Sequence, residues 1–136
     1  MKKRALYKIA ATAFCSLVLG LIVGCSGGGQ PLAEVTGTVT LDGKPVENIS
    51  VVFQPEAPDQ ATSRGTSNAE GKFSLMYNRD AAGAVPGKHK VRFAVMDADA
   101  TGLLPEKYTN TAKSGMTADV KQEGPNEFQF DLKSKR

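Results

Sequence analysis

Few side chains in this sequence can do chemistry. It holds two cysteines, Cys15 and Cys25, one histidine, His89, and an alternating aspartate pair, Asp97 and Asp99, with Asp80 upstream. A thiolate is the strongest nucleophile among the side chains and a soft metal ligand, so the cysteines come first. A disulfide between them is the purely structural use. One histidine, with no free thiol expected in the mature protein, is too little for a zinc site of His and Cys ligands, and no nucleophile elbow or zinc-protease helix occurs. The aspartates offer oxygens to a calcium ion, but they lack the glycine and the distal glutamate of an EF-hand loop and read as solvated. His89 reads as an exposed strand residue. Asn48-Ile49-Ser50 matches a glycan acceptor triplet, to which no function is assigned because Ile49 falls in a core strand. The expectation is no catalytic residue, no metal and no cofactor.

The segment that positions Cys25 lies directly before it. Met1 to Lys8 is short and positive, Ile9 to Val23 is apolar apart from Thr12 and Ser16, and Gly24-Cys25 follows. This is the order of an export signal, expected to be helical over residues 1–24. As a helix the apolar run spans roughly 22 Å, short of the roughly 30 Å of a hydrocarbon core, so a permanent transmembrane anchor is the weaker reading. Cys15 sits inside that run and would leave with it, so the disulfide is not expected. Four of the 17 basic residues, Lys2, Lys3, Arg4 and Lys8, also precede it. The remainder sets 13 bases against 14 acids, a net charge of −1. That balance argues against nucleic acid as a partner.

Leu21-Ile22-Val23-Gly24-Cys25 resembles the lipobox of bacterial lipoproteins. The resemblance implies a diacylglycerol thioether on Cys25, signal cleavage after Gly24 and an envelope location with the lipid in a membrane. Ser26 stands where some envelopes read Asp as an inner-membrane retention signal, which favours the outer membrane. Ser26-Gly27-Gly28-Gly29-Gln30-Pro31 then reads as a flexible tether within residues 25–33, with a reach of about 12–15 Å. A phosphate-cradling glycine loop would need a strand before it and a GK[ST] helix after it, and neither is present.

From Glu34 to the end, apolar and polar residues alternate in short runs separated by turn residues, the pattern of a β-sandwich. Val35, Gly37, Val39 and Leu41 share one face of a first strand, and Asp42-Gly43 makes a tight turn. Ile49, Val51 and Phe53 follow, then Phe73, Leu75 and Tyr77, then Val91, Phe93 and Val95. A closing hairpin about Glu123-Gly124-Pro125-Asn126 joins Met116–Lys121 to Glu127–Lys133, with Phe128, Phe130 and Leu132 inward. With the short Arg64–Ser67 strand, the expectation is an all-β, seven-stranded antiparallel β-sandwich over residues 34–136.

Val35-x-Gly37-x-Val39, Gly43-x-Pro45-Val46, Val51-x-Phe53, Thr66-x-x-x-x-Gly71-x-Phe73-x-Leu75 and Pro86-Gly87-x-His89-x-Val91 together resemble the carboxypeptidase regulatory-like domain, a transthyretin-like sandwich. The resemblance covers Val35 to about Val95. It departs at His89, where the family commonly has Tyr, and in the segment Asp97 to Gly115. It implies a noncatalytic binding or scaffolding module. The related hydrolase of 5-hydroxyisourate needs several histidines and a C-terminal Tyr-Arg-Gly-Ser, which this sequence lacks.

The segment Asp97–Gly115 carries three sizeable apolar side chains without strand alternation. Leu103, Leu104 and Tyr108 either face a ligand or partner, such as an envelope protein or a carbohydrate, or fold back as a lid over the open end of the sandwich; the lid is the preferred reading. Self-assembly through exposed edge strands is the alternative from another class. A hydrolase of unknown substrate is a distant third.

Overall fold

The computed structural model describes residues 30–135, and their strands form two sheets laid face to face. Residues 1–29, with Gly24, Cys25 and the glycine-rich tether, lie outside the described residues.

Strand β1 (Thr36–Leu41) runs through the middle of the first sheet. Asp42 and Gly43 have φ of +50° and +84°, the two left-handed positions of a type I′ turn, which fold the short β2 (Lys44–Pro45) back on the end of β1. The start of β1 pairs antiparallel with β5 (Lys72–Ser74) on that same flank. Its other flank is covered along its whole length by β8 (Glu127–Leu132). The second sheet is β4 (Ser63–Thr66), β3 (Ile49–Pro55), β6 (Gly87–Val95) and β7 (Thr117–Val120), in that spatial order and antiparallel throughout.

Two expectations are corrected by this topology. The β1–β8 pair is parallel, with Thr36 beside Glu127 and Leu41 beside Leu132. The closing hairpin does not form, because β7 extends the second sheet beyond β6 while β8 crosses to the first. Alternation fixes which face of a strand is buried and says nothing about which sheet it joins, and both sheets had an apolar face to complete. The two-residue β2 is also additional to the expected strands.

Between the sheets the aromatic rings interlock around Phe130. Phe93 and Phe53 meet it edge-on at centroid distances of 5.2 and 6.1 Å, and Phe73 stacks at 6.2 Å. Val35, Val39, Ile49, Val51, Leu75, Val91 and Leu132 fill the remaining space. Among the described residues this core runs from Ala33 to Leu132, all of it within the chain from Gln30 onward. The sheets join at one side, where Arg64 of β4 and Met76, just past β5, exchange both backbone hydrogen bonds at 3.0 and 2.9 Å.

The two ends of the sandwich are chemically distinct. At one end the chain enters through Ala33, which bridges Ala84 shortly before β6 begins. The other end holds the Asp42-Gly43 turn and the last residues of β8. It is covered by the segment between β6 and β7, which contains a 3-10 turn (Ala98–Ala100), helix α1 (Glu106–Thr109) and helix α2 (Thr111–Ser114). Asn110 caps α2 by accepting the Ala112 N–H at 2.8 Å, and Gly115 at φ +66° ends it.

Candidate functional site

The residues singled out in the sequence separate on folding. Leu104 and Tyr108 are 6% and 4% exposed and belong to the core, whereas Leu103 is 36% exposed. The Tyr108 ring stands edge-on to Phe93 at 6.4 Å, and its hydroxyl accepts the Lys133 N–H at 3.3 Å. The Lys135 N–H reaches the Leu103 carbonyl at 3.4 Å. The segment thus closes the end of the sandwich and is stitched to the chain beyond β8. Tyr108 lies within α1 and Leu104 in the extended chain just before its N-cap Pro105, and both side chains are buried.

Over this lid lies an open cleft of about 670 Å³, lined by Asp42, Pro105, Lys107, Lys133, Ser134 and Lys135. Lys107 places its ammonium 4.8 Å from the centre of the Tyr108 ring. The Asp42 carboxylate accepts the Ser134 N–H at 3.1 Å, and the Asp42 N–H donates to the Leu132 carbonyl at 2.9 Å. Ammonium groups are point charges without the planar fork of arginine, so this arrangement can hold an anion without dictating its orientation. Sequence reading missed the cleft, although Lys133-Ser134-Lys135 signalled it. The β8 alternation ends at Leu132, and the residues beyond it are free to turn their charges toward the lid.

Near the cleft, the Thr40 hydroxyl donates to the Asp131 carboxylate at 2.6 Å and is the chief reason that this carboxyl titrates below its ordinary range. The Gln129 amide acts in the same direction, burial opposes it weakly, and Lys133 adds attraction.

His89 was expected on the surface and is instead 1% exposed. Residue 89 shares its face of β6 with Val91 and Phe93, and strand parity outweighs the polarity of an imidazole. Its Nε2 lies 2.7 Å from the Val85 carbonyl, and Phe53 packs against the ring at 5.6 Å. A carbonyl can only accept, so Nε2 carries a proton, and Nδ1 is buried without a hydrogen-bond partner.

Asp97 caps the 3-10 turn by accepting the Asp99 N–H at 3.0 Å, and Asp80 donates its own N–H to Asn78. Among the described residues no group of three or more His, Cys, Asp and Glu side chains gathers, and no helix is long and apolar enough to cross a membrane.

The residue that sequence reading most clearly passed over is Asn126, which it left in a turn. Its side-chain oxygen accepts the Lys121 N–H at 2.8 Å, while its amide donates to the carbonyls of Lys121 at 2.8 Å and Glu34 at 3.3 Å. The side chain thereby pairs with the end of β7 as a strand would and ties it to the start of the first sheet.

No family model, no curated protein and no solved structure matches this chain.

Proposed function

We propose that this chain is a lipid-anchored protein of the cell envelope that presents a noncatalytic β-sandwich as a binding or scaffolding module. One observation carries the reading. Among the described residues the sandwich core begins at Ala33, eight positions after Cys25, so the lipobox-like Leu21-Ile22-Val23-Gly24-Cys25 precedes that whole core in sequence, as export and acylation require. In this reading the intervening Gly27-Gly28-Gly29 serve as a tether between the lipid and the domain. Two or three acyl chains at Cys25 would anchor the protein stably, where one would not.

The finer assignment is a transthyretin-like sandwich of the carboxypeptidase regulatory-like kind, with β2 counted as part of its turn to leave seven strands. It is supported by the places its motif residues take: Gly37 and Val39 on β1, Pro45 on the short β2 after the turn and Phe73 on β5. In this reading the partner meets the cleft of Lys107, Lys133 and Lys135, with Leu103 at its margin, while Leu104 and Tyr108 hold the lid in place.

Mass analysis of the mature protein tests the anchor. The expected N-terminal residue is Cys25 with a thioether-linked diacylglycerol, and Cys25→Ser is expected to leave an uncleaved, unacylated precursor. A bare sulfur with the leader still attached would refute it.

Self-assembly is the second reading, favoured by β7 and β8 each pairing with a single neighbour and so forming sheet edges. Opposing it, β8 exposes Glu127 and Asp131, like charges that two copies would bring together. Sedimentation of the chain from Gln30 onward separates the two, since a monomer at high concentration is incompatible with assembly.

A further inference from the structure

The net charge of the domain conceals a segregation of charge that the sheet register reveals. On the outer face of the second sheet, Arg64 and Arg92 stand on either side of Val52, and Lys90 lies beside Gln54 one row further on. Val52 is nonetheless buried, as expected when the stems of flanking arginines cover it. Among the described residues the two ion pairs are Lys72–Glu70 and Lys113–Glu106, neither on this face. Lys88 adds little to the positive face, because Asp119 is its register partner and the Glu56 N–H bonds to its carbonyl, which brings two acids to it.

The same face runs into a cleft of about 440 Å³ at the seam between the sheets. There Arg64 and Arg79 flank Met76 and Tyr77, with Thr62 and Asn78 completing the wall. Met76 is 39% exposed and is one of only three large apolar side chains on the described surface. Two guanidinium groups beside an exposed thioether and a phenol fit a phosphate with an apolar neighbour better than they fit a bare sugar or an inorganic ion.

This cleft and the chain's exit from the fold lie at one end of the sandwich. The Leu75 N–H donates to the Val35 carbonyl, and Ala33 bridges Ala84 just before β6, so Met76 and the path toward residue 30 are neighbours. The lysine cleft over the lid is at the opposite end.

We propose that the seam cleft and the adjoining basic face form a docking surface for anionic phospholipid headgroups, with Arg64 and Arg79 on the phosphate and Met76 and Tyr77 at the level of the acyl boundary. The choice of a bilayer over other anions rests on the lipid-anchored reading above, since a tether of about 12–15 Å keeps this end of the domain against the membrane. Aromatic and basic side chains are the ordinary residents of that interface.

Co-sedimentation of the chain from Gln30 onward with vesicles is the test. It lacks Cys25, so binding reports this surface alone. Vesicles of phosphatidylcholine mixed with phosphatidylglycerol are expected to bind it at low salt, and phosphatidylcholine alone to leave it in solution. The Arg64→Gln/Lys90→Gln double variant is expected to bind roughly twenty-fivefold more weakly, at about fivefold per basic residue. Met76→Ser is expected to weaken vesicle binding severalfold. The charge-matched Lys107→Gln/Lys135→Gln variant at the other end is expected to bind as the parent does.

Equal weakening by both double variants, or no preference for the anionic vesicles, would overturn the proposal. So would displacement from vesicles by glycerol phosphate, inorganic phosphate or an anionic polysaccharide at matched charge concentration. Far-ultraviolet circular dichroism of each variant guards against misfolding. The anchor is judged separately: a bare Cys25 would remove that reading, while the vesicle result would still decide the surface.

Discussion

Replacing Asn126 by Asp changes one nitrogen to oxygen in a buried clamp. The Lys121 N–H keeps its acceptor, but the two donations, to the carbonyls of Lys121 at 2.8 Å and Glu34 at 3.3 Å, are lost. Each is worth about 1 kcal/mol net. A carboxylate oxygen facing two carbonyl oxygens in a site only 7% exposed adds a further penalty of about 1–3 kcal/mol. Asn126→Asp should therefore destabilise the domain by about 3–5 kcal/mol at neutral pH, a large share of the roughly 5–15 kcal/mol that such domains possess. The penalty falls on the ionised form, so the introduced carboxyl titrates higher in the folded than in the unfolded protein. Its protonated form can donate again to a carbonyl. The variant's deficit must then be smallest in acid and grow as the pH rises through the unfolded and then the folded value. Urea unfolding followed by far-ultraviolet circular dichroism at acid and neutral pH measures both quantities. A neutral-pH loss below about 1 kcal/mol, or a loss independent of pH, would refute the claim that this side chain acts as a surrogate strand.

Three further predictions concern other parts of the molecule. Leu104→Ala should cost about 2–4 kcal/mol by opening the core under the lid, whereas Tyr108→Phe, which keeps the ring against Phe93, should cost under about 1 kcal/mol; equal and negligible costs in urea unfolding would mean the lid does not pack. Gly37→Ala should destabilise by at least about 3 kcal/mol, because a methyl group there meets the Phe128 carbonyl and the Phe73 ring, and thermal melting at parental temperature would contradict the β1–β8 register. Thr40→Val should raise the pKa of Asp131 toward the ordinary carboxylate value, readable by carboxyl-carbon NMR. The depressed folded value contributes stability above the unfolded pKa that fades as pH falls through the folded one, so this contribution shrinks in the variant.

The faces of the strands were legible because alternation is a local property. Val35 and Val39, Ile49 and Phe53, Val91 and Phe93, and Phe130 and Leu132 all point where their spacing directs them. The Asp42-Gly43 turn was equally readable, since it requires two left-handed residues in succession. Pairing was not. Strand β8 carries the same alternation whether it completes a hairpin with β7 or lies parallel to β1, and the choice depends on which sheet lacks a flank. His89 was misread for a different reason: residue chemistry was allowed to overrule a parity that already placed it beside Val91. The lid was half legible, in that Leu104 and Tyr108 were singled out as apolar residues needing cover. The lysines above them were not, because Lys107 meets Lys133 and Lys135 only after the chain has passed through β7 and β8.

The parallel β1–β8 pair has a consequence for how such a domain could work. Because both strands run away from the end where the chain enters, the residues following β8 are delivered to the far end, beside the Asp42-Gly43 turn and the lid. An antiparallel closing hairpin in the first sheet would have returned them toward the entry. Along the six residues of β1 the separation is roughly 20 Å. On the lipid-anchored reading, Arg64, Arg79 and Met76 then face the bilayer while Lys107, Lys133 and Lys135 face away from it. That distance is about twice the screening length at moderate ionic strength, so the two positive surfaces neither compete for one anion nor reinforce each other's field. Charge changes at one end should leave binding at the other untouched, and measurable coupling between the Arg64→Gln/Lys90→Gln and Lys107→Gln/Lys135→Gln variants would show that the ends are not electrostatically independent.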